Sequence, residues 1–174
     1  MSVVYLVVCA APPARRIEEL VSLLQQDGWS VQVIATPTAG EWINRAALTV
    51  QTGYRVHVER RGPEDSPSLP EAAAVAVVPA TFNTINKWAA GINDTLALGV
   101  LNEALGIGLP IVVSPYAKPA LASHPAFARS LQVLREAGVH LTETEALRPD
   151  KPERPFRWQV IVKALAAVRR GTVG

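Results

Sequence analysis

Cysteine is nearly missing from this chain: Cys9 stands alone among 174 residues, so neither an internal disulfide nor a cysteine-based zinc site can form. It lies in an apolar run, where a thiol reads as a small core residue before a nucleophile, and no metal site is expected. Lysine is scarce too, found only at 87, 118, 151 and 163. The arginines are scattered, with Arg15-Arg16, Arg60-Arg61 and Arg169-Arg170 as adjacent pairs only, and the formal net charge is +2. A nucleic-acid footprint is normally a dense basic stripe, so this distribution argues against such a partner. No apolar run is long enough to span a bilayer, and no basic stretch leads an apolar one at the N-terminus. The expectation is a cytoplasmic protein with no membrane partner. There is no internal repeat and no linker dividing the chain, so residues 1–174 are expected to form one domain.

What is present is apolar and periodic. Hydrophobic residues make up 49% of the chain against 18% charged, a balance that demands a folded core. Residues 73–98, AAVAVVPATFNTINKWAAGINDTLAL, organise the rest. Ala73–Val78 has the composition of a strand buried on both faces of a parallel sheet, ending at Pro79. Ala80, Thr81, Phe82, Asn83 and Thr84 follow, and then a helical pattern carries Ile85, Trp88 and Ala89 on one face up to Gly91. Ligands of open α/β sheets bind outside the carboxyl ends of the strands, so Thr81, Asn83 and Thr84 stand where hydroxyls and an amide would meet one. The same residues are good helix N-caps, and spacing alone does not choose between the two roles.

In chain order, Val3–Cys9 reads as a buried strand, followed by an Ala10-Ala11-Pro12-Pro13 turn and a helix through Ile17, Leu20, Val21 and Leu24 up to Gly28. Trp29–Ala35 is a second strand. Thr36-Pro37-Thr38-Ala39 leads into one helix carrying Trp42, Ile43, Ala46 and Ala47 and finishing near Gly53. Tyr54–Val58 alternates in strand fashion, and residues 60–71 form a loop rich in proline, serine and charge. After the central strand and helix come a helix from Leu96 to Leu105, a buried strand Pro110–Ser114 and a helix through Phe127, Leu131 and Leu134 to Gly138. A short strand Val139–Leu141, a surface loop over 142–155 and a closing helix over 156–170 complete the chain. Alternating buried strands and helices specify an α/β fold, a three-layer doubly wound parallel sheet of flavodoxin-like or Rossmann-like type.

PATFNTINKWAAGINDTLAL resembles the PASANT-type segment of the FMN-dependent cysteine-decarboxylase flavoproteins, a family that includes phosphopantothenoylcysteine decarboxylase and the decarboxylases of lantibiotic biosynthesis. The likeness runs through Pro79, Ala80, Thr81, Asn83, Thr84, Lys87, Ala89, Gly91, Asp94 and Leu96. VQVIATPTAGEWI, residues 31–43, is similar to the family's second strand and its following turn, and HPAFARSLQVLREAGVHL, residues 124–141, to a later helix. The resemblance covers roughly residues 3 to 141. It implies FMN as cofactor, with Thr36, Thr38, Ala80, Thr81, Asn83 and Thr84 as contacts and Ser114 at the end of the fifth strand. It also implies a small-molecule substrate and a homo-oligomer, a trimer or a dodecamer of trimers, with flavin at a subunit boundary near an exposed Trp88.

The departures from the family pattern are equally specific. The family's first turn carries a Gly-Ser/Thr pair that helps to hold phosphate, whereas here Pro12 and Pro13 each remove an amide donor. Arg15 and Arg16 are placed to supply positive charge in compensation. The family's decarboxylation histidine falls at Asp65 or Ser66, and no histidine occurs between 58 and 123. Its Pro-x-Met-Asn-x-x-Met-Trp segment aligns on Pro115-Tyr116-Ala117-Lys118-Pro119-Ala120-Leu121-Ala122, which keeps only the proline. Asp65, as a base of raised pKa, and Lys118, as a cation for a carboxylate or phosphate, are the catalytic candidates left. The family's cysteine-bearing clamp has no counterpart in 142–155. The reading is therefore an FMN-binding flavoprotein, a redox-type enzyme on a small molecule and not a cysteine decarboxylase. The alternative is a binding or structural subunit that keeps the fold without flavin.

Overall fold

The computed structural model describes residues 1–60, 62 and 69–171. Among them, β1 (Ser2–Val8), β2 (Trp29–Ala35), β3 (Ala74–Ala80), β4 (Ile111–Pro115) and β5 (His140–Leu141) form one parallel sheet in the order β2-β1-β3-β4-β5. This is the flavodoxin-like order of a doubly wound sheet, the fold class that the alternation of strands and helices predicts. Because parallel strands need crossovers, helices cover both faces. Val4, Leu6 and Val8 of β1 point to one face, where α1 (Ile17–Gln26) and α8 (Gln159–Gly171) bury Leu20, Leu24, Ile161 and Leu165. Val7, and Val75 and Val77 of β3, point to the other, where α4 (Phe82–Ala89), α5 (Leu96–Gly106) and α7 (Pro125–Glu136) bury Ile85, Leu101 and Leu134. Cys9, just past β1, is fully buried on that second face, and burial pushes its thiol pKa up while Thr84 and Thr81 pull it partly back. It is a core residue.

Four differences from the sequence reading have local causes. The helix expected to run unbroken from Thr36 to Gly53 is two, α2 (Pro37–Trp42) and α3 (Arg45–Thr52). Ile43 between them is extended, and the Asn44 side chain accepts from the Ala47 N–H at 3.0 Å, capping a new start. Tyr54–Val58 is not a ladder strand: one bridge joins Ile34 to His57, with Val56 and Val58 buried and Tyr54 turned towards solvent. The central strand does not stop at Pro79 but continues to Ala80. Proline has no N–H for the ladder, and the β3–β4 register shifts between Val77 and Ala80, where pairing resumes with Pro115.

The fourth difference concerns Trp88, which the resemblance leaves exposed at a subunit boundary. It is 1% exposed and packs in the cluster of Ile85 and Leu101, so the expected trimer loses the side chain that was to seat it. Ile85 and Trp88 lie three residues apart on α4, one helical ridge, and the sheet takes both. The C-terminal helix begins at Gln159, with Trp158 donating its indole N–H to Glu19 at 2.9 Å ahead of it. Of the short helices, α6 (Pro119–Ala122) follows β4 directly. No described helix is long and apolar enough to cross a membrane. Trp88→Ala should destabilise by about 3–5 kcal/mol, as for other large aromatic core truncations. The loss, read from denaturant midpoints, should be the same at low and high protein concentration; a concentration-dependent loss would make Trp88 an interface residue after all.

Candidate functional site

Parallel pairing brings the carboxyl ends of β1, β2, β3 and β4 to one edge, and the turns leaving them enclose a cavity of about 840 Å³. The β1 turn contributes Ala10, Ala11 and Pro12, and the β2 turn contributes Thr36, Pro37, Thr38 and Trp42. Thr81, Phe82, Asn83 and Thr84 come from the strand-to-helix turn after β3, and Tyr116, Ala117 and Lys118 from the turn after β4. Of the cofactor contacts implied by resemblance, Thr36, Thr38, Thr81, Asn83 and Thr84 thus line one cavity, as does Lys118.

Two implied contacts do not line it. Ala80 is fully buried at the end of β3, where its carbonyl accepts from the Tyr116 N–H at 2.8 Å. Ser114 is fully buried in β4, and its oxygen accepts from the Thr142 hydroxyl at 3.0 Å. Both lie within the sheet, one layer beneath the turns that reach the cavity. Asp65, the other catalytic candidate, lies outside the described residues.

Capping and lining are carried by the same threonines. Thr36 accepts from the Ala39 N–H at 3.3 Å at the start of α2, and Thr81 accepts from the Thr84 N–H at 3.4 Å at the start of α4. The Thr81 and Thr84 hydroxyls are also 3.3 Å apart. The cap of α4 is therefore Thr81; Asn83 sits exposed in the first turn with its amide unengaged among the described residues. At the β1 turn no glycine amides face the cavity. Pro12 and Pro13 open a short 3-10 turn, and the nearby Arg15 guanidinium lies 5.1 Å from the centre of the Trp42 ring.

Several lining residues were not foreseen by number. Thr95 and Leu98 enter from the start of α5, and Leu121 from α6. Glu145 and Arg148 enter from the segment after β5, within the 142–155 stretch read from the sequence as a surface loop. Their signal was topological: a loop following a strand of this sheet begins at the carboxyl edge. The Arg148 guanidinium bonds the Glu145 carboxylate at 2.7 Å and lies 5.7 Å from the Tyr116 ring centre. Tyr116 and then Glu145 push the Arg148 pKa up. None of the three histidines lines the cavity; His124 caps α7 and packs edge-on against Phe82 at 5.8 Å.

A doubly wound sheet with a walled cavity at its carboxyl edge, rich in hydroxyls and aromatic rings, is the architecture of a cofactor- or nucleotide-binding protein. The family model described as Flavoprotein matches residues 2–168, and the chain belongs to that family. Over 96 residues it is 34% identical to the coenzyme A biosynthesis bifunctional protein CoaBC of Thermococcus kodakarensis, covering 55% of this chain and 23% of that protein. The chain spans less than a third of the length of the curated relatives it matches. Among solved structures, a PPC decarboxylase C175S mutant complexed with pantothenoylaminoethenethiol superimposes with a TM-score of 0.77 at 18% identity, covering 97% of this chain and 98% of that one. The FMN-dependent cysteine decarboxylase SpaF gives 0.74 at 20% identity, covering 97% and 98%. At such identities the likeness establishes the shared fold.

Lys87 of α4 reaches the cavity and bonds Asp94 at 2.7 Å, tying the end of α4 to the loop before α5. This hydrogen bond holds the Asp94 pKa below the usual carboxylate value. A depressed folded-state pKa contributes stability that is present above the unfolded value, about 3.9, and is lost as pH falls through the folded one. Lys87→Met should therefore lower the melting temperature at pH 7, and its gap to the wild type should narrow by pH 3. A gap of equal size at both pH values would assign the loss to packing of the lysine stem instead.

Proposed function

We propose that this chain is an FMN-binding flavoprotein that acts on a small molecule, with the flavin in the cavity at the carboxyl edge of the sheet. The observation that carries the reading is the convergence of Thr36, Thr38, Thr81, Asn83 and Thr84, from two separate strand ends, on the lining of that one cavity. The space and its lining fit the group. A volume of about 840 Å³ lies within the roughly 300–1,000 Å³ of small-molecule and cofactor sites. Trp42, Phe82 and Leu98 offer apolar surface for a ring system, and the threonine hydroxyls and the Asn83 amide offer the donors and acceptors that a polyol chain and a heterocycle edge need. Bound there, FMN would supply the electron chemistry. The chain's own residues orient it, cover its faces and hold its polar edges. Without backbone amides at Pro12 and Pro13, the phosphate would rely on the Thr36 and Thr38 turn and on nearby Arg15.

Purified protein should be yellow and release FMN on heating, identified by mass. A colourless protein that takes up no added FMN favours the alternative, a subunit that keeps the fold without flavin. Asn83→Asp separates the two roles of the β3 turn. Since Thr81 caps α4 and a carboxylate is welcome in a helix's first turn, the variant should fold as well as the wild type. It should retain flavin more weakly, because an ionised aspartate only accepts where asparagine also donates. Full flavin occupancy in the variant would remove Asn83 from the site.

The names of the relatives favour a second reading, decarboxylation of a cysteine-derived substrate. Against it stands the lining: no histidine reaches the cavity, and Lys118 occupies the turn that carries the family's asparagine. We therefore propose a redox-type reaction and expect no carbon dioxide and no enethiol from phosphopantothenoylcysteine or from peptides ending in cysteine. Turnover of either substrate by flavin-loaded protein, followed by mass spectrometry, would reinstate the decarboxylase.

A further inference from the structure

A second cavity, of about 530 Å³, lies along α5, and among the described residues its lining shares only Thr95 with the site at the carboxyl edge. One wall is α5 itself. Leu96, Val100 and Glu103, with the C-cap residue Ile107, recur at helical spacing on one side of it, while Ala97, Leu98 and Leu101 are buried on another. A surface helix ordinarily turns a polar face outward. Here Leu96, Val100 and Ile107 stand on the outer side instead, Ile107 being 75% exposed.

The facing wall is pinned to the sheet. The Tyr5 hydroxyl of β1 donates to the Pro70 carbonyl at 2.7 Å, and the Ala73 N–H donates to the Val3 carbonyl at 2.8 Å. These bonds hold Leu69, Glu71 and Ala72 beside the cavity. The Arg60 guanidinium closes another side by donating to the main-chain oxygen of Asn93 and, at 3.0 Å, to its side-chain oxygen. A Cβ added at Gly99 would stand 3.1 Å from that same side-chain oxygen, so glycine leaves Asn93 its place against α5. The donors of Arg60 are thus spent within the protein. Glu71 and Glu103, both exposed, make no ion pair and no side-chain hydrogen bond among the described residues.

We propose that this cavity is a second ligand site and takes an organic cation, an ammonium group on an apolar body. The body packs against Leu96, Val100 and Ile107, and the ammonium meets the Glu71 and Glu103 carboxylates. The volume is of small-molecule scale, within the roughly 300–1,000 Å³ of such sites. The sign of the ligand's charge follows from the lining. Two carboxylates against one guanidinium leave a local charge of −1, and the guanidinium is engaged by Asn93. A cation is therefore attracted, and a carboxylate or phosphate repelled. The site needs no flavin. Thr95, whose hydroxyl accepts from the Leu98 N–H at 3.1 Å to cap α5, stands on both linings, so the two ligands are neighbours in separate spaces.

Phenylbutylamine, phenylbutanol and phenylbutyrate, titrated calorimetrically at pH 7 into FMN-free and FMN-loaded protein, test this. The amine should bind both forms, about tenfold more tightly than the alcohol, and the butyrate should bind most weakly. Glu71→Gln and Glu103→Gln should each weaken the amine about three- to fivefold, the scale of one exposed ion pair, and leave the alcohol unchanged. Ile107→Ser should weaken amine and alcohol alike, with the melting temperature kept because Ile107 is exposed. No binding of the amine, equal binding of amine and alcohol, or an unchanged amine affinity in both glutamate variants overturns the proposal. So does displacement of the amine by FMN, which would place it in the carboxyl-edge cavity. A chain that binds no amine and whose assembly, followed by light scattering, is dispersed by Ile107→Ser would have this face covered by a second copy instead. Amine binding by a protein that takes no FMN supports this inference and refutes the flavin reading alone.

Discussion

Parallel pairing is the constraint on which the rest of this structure depends. A strand buried on both faces cannot turn directly back into its neighbour; it needs a crossover, and here the crossovers are helices that return the chain to the same starting edge. Each strand consequently ends at the opposite edge, and each following turn begins there. β3, at the centre with β1 and β4 on either side, sets the position of the others, and its apolar run leaves no polar side chain until Thr81. The cavity is a consequence of this arrangement. Its walls are the places where buried strands surface and helices start.

The capping requirement explains why the cavity is rich in hydroxyls. Every helix that begins at this edge leaves N–H groups unsatisfied, and Thr36, Thr81 and Thr95 each answer one with a side-chain oxygen. A residue that caps a helix at the carboxyl edge of a parallel sheet is by that fact also at the ligand crevice. Capping a helix and lining the cavity are thus not alternatives in the folded chain, since Thr36 and Thr81 do both. Asn83 is the exception: the cap is made without it, so its exposed amide has no structural duty among the described residues.

The two ends of the cavity are built by different means. At the β1 and β2 end, prolines replace backbone donors, and shape, hydroxyls and an arginine stacked on Trp42 remain. At the β4 and β5 end, a loop anchored by buried Leu147 presents Glu145 and Arg148 to the cavity. A preformed wall of this kind lowers the ordering cost of binding.

Much of this was legible in the residues themselves. Trp29–Ala35 is apolar enough to be a strand whatever surrounds it, Gly138 and Gly53 end their helices where left-handed φ values are needed, and the strand–helix alternation fixes a parallel layered sheet. The turn residues Thr36, Thr38, Thr81, Asn83 and Thr84 were legible too, because short-range chemistry places them at the ends of strands. What lay beyond the sequence depends on contacts between segments far apart in the chain. Whether Trp88 faces a partner or the core is decided by how α4 packs with α5 and α7, for which helical spacing supplies a direction on the helix but no neighbour. Tyr54–Val58 alternates like a strand, yet it meets β2 at one bridge only. Ser114 ends a strand as its position suggests, but Thr142 claims its hydroxyl from 28 residues away. Arg148 reaches the cavity only because Leu147 is drawn under the sheet edge. Local periodicity determined the elements and the edge at which function gathers; packing decided which side chains reach it.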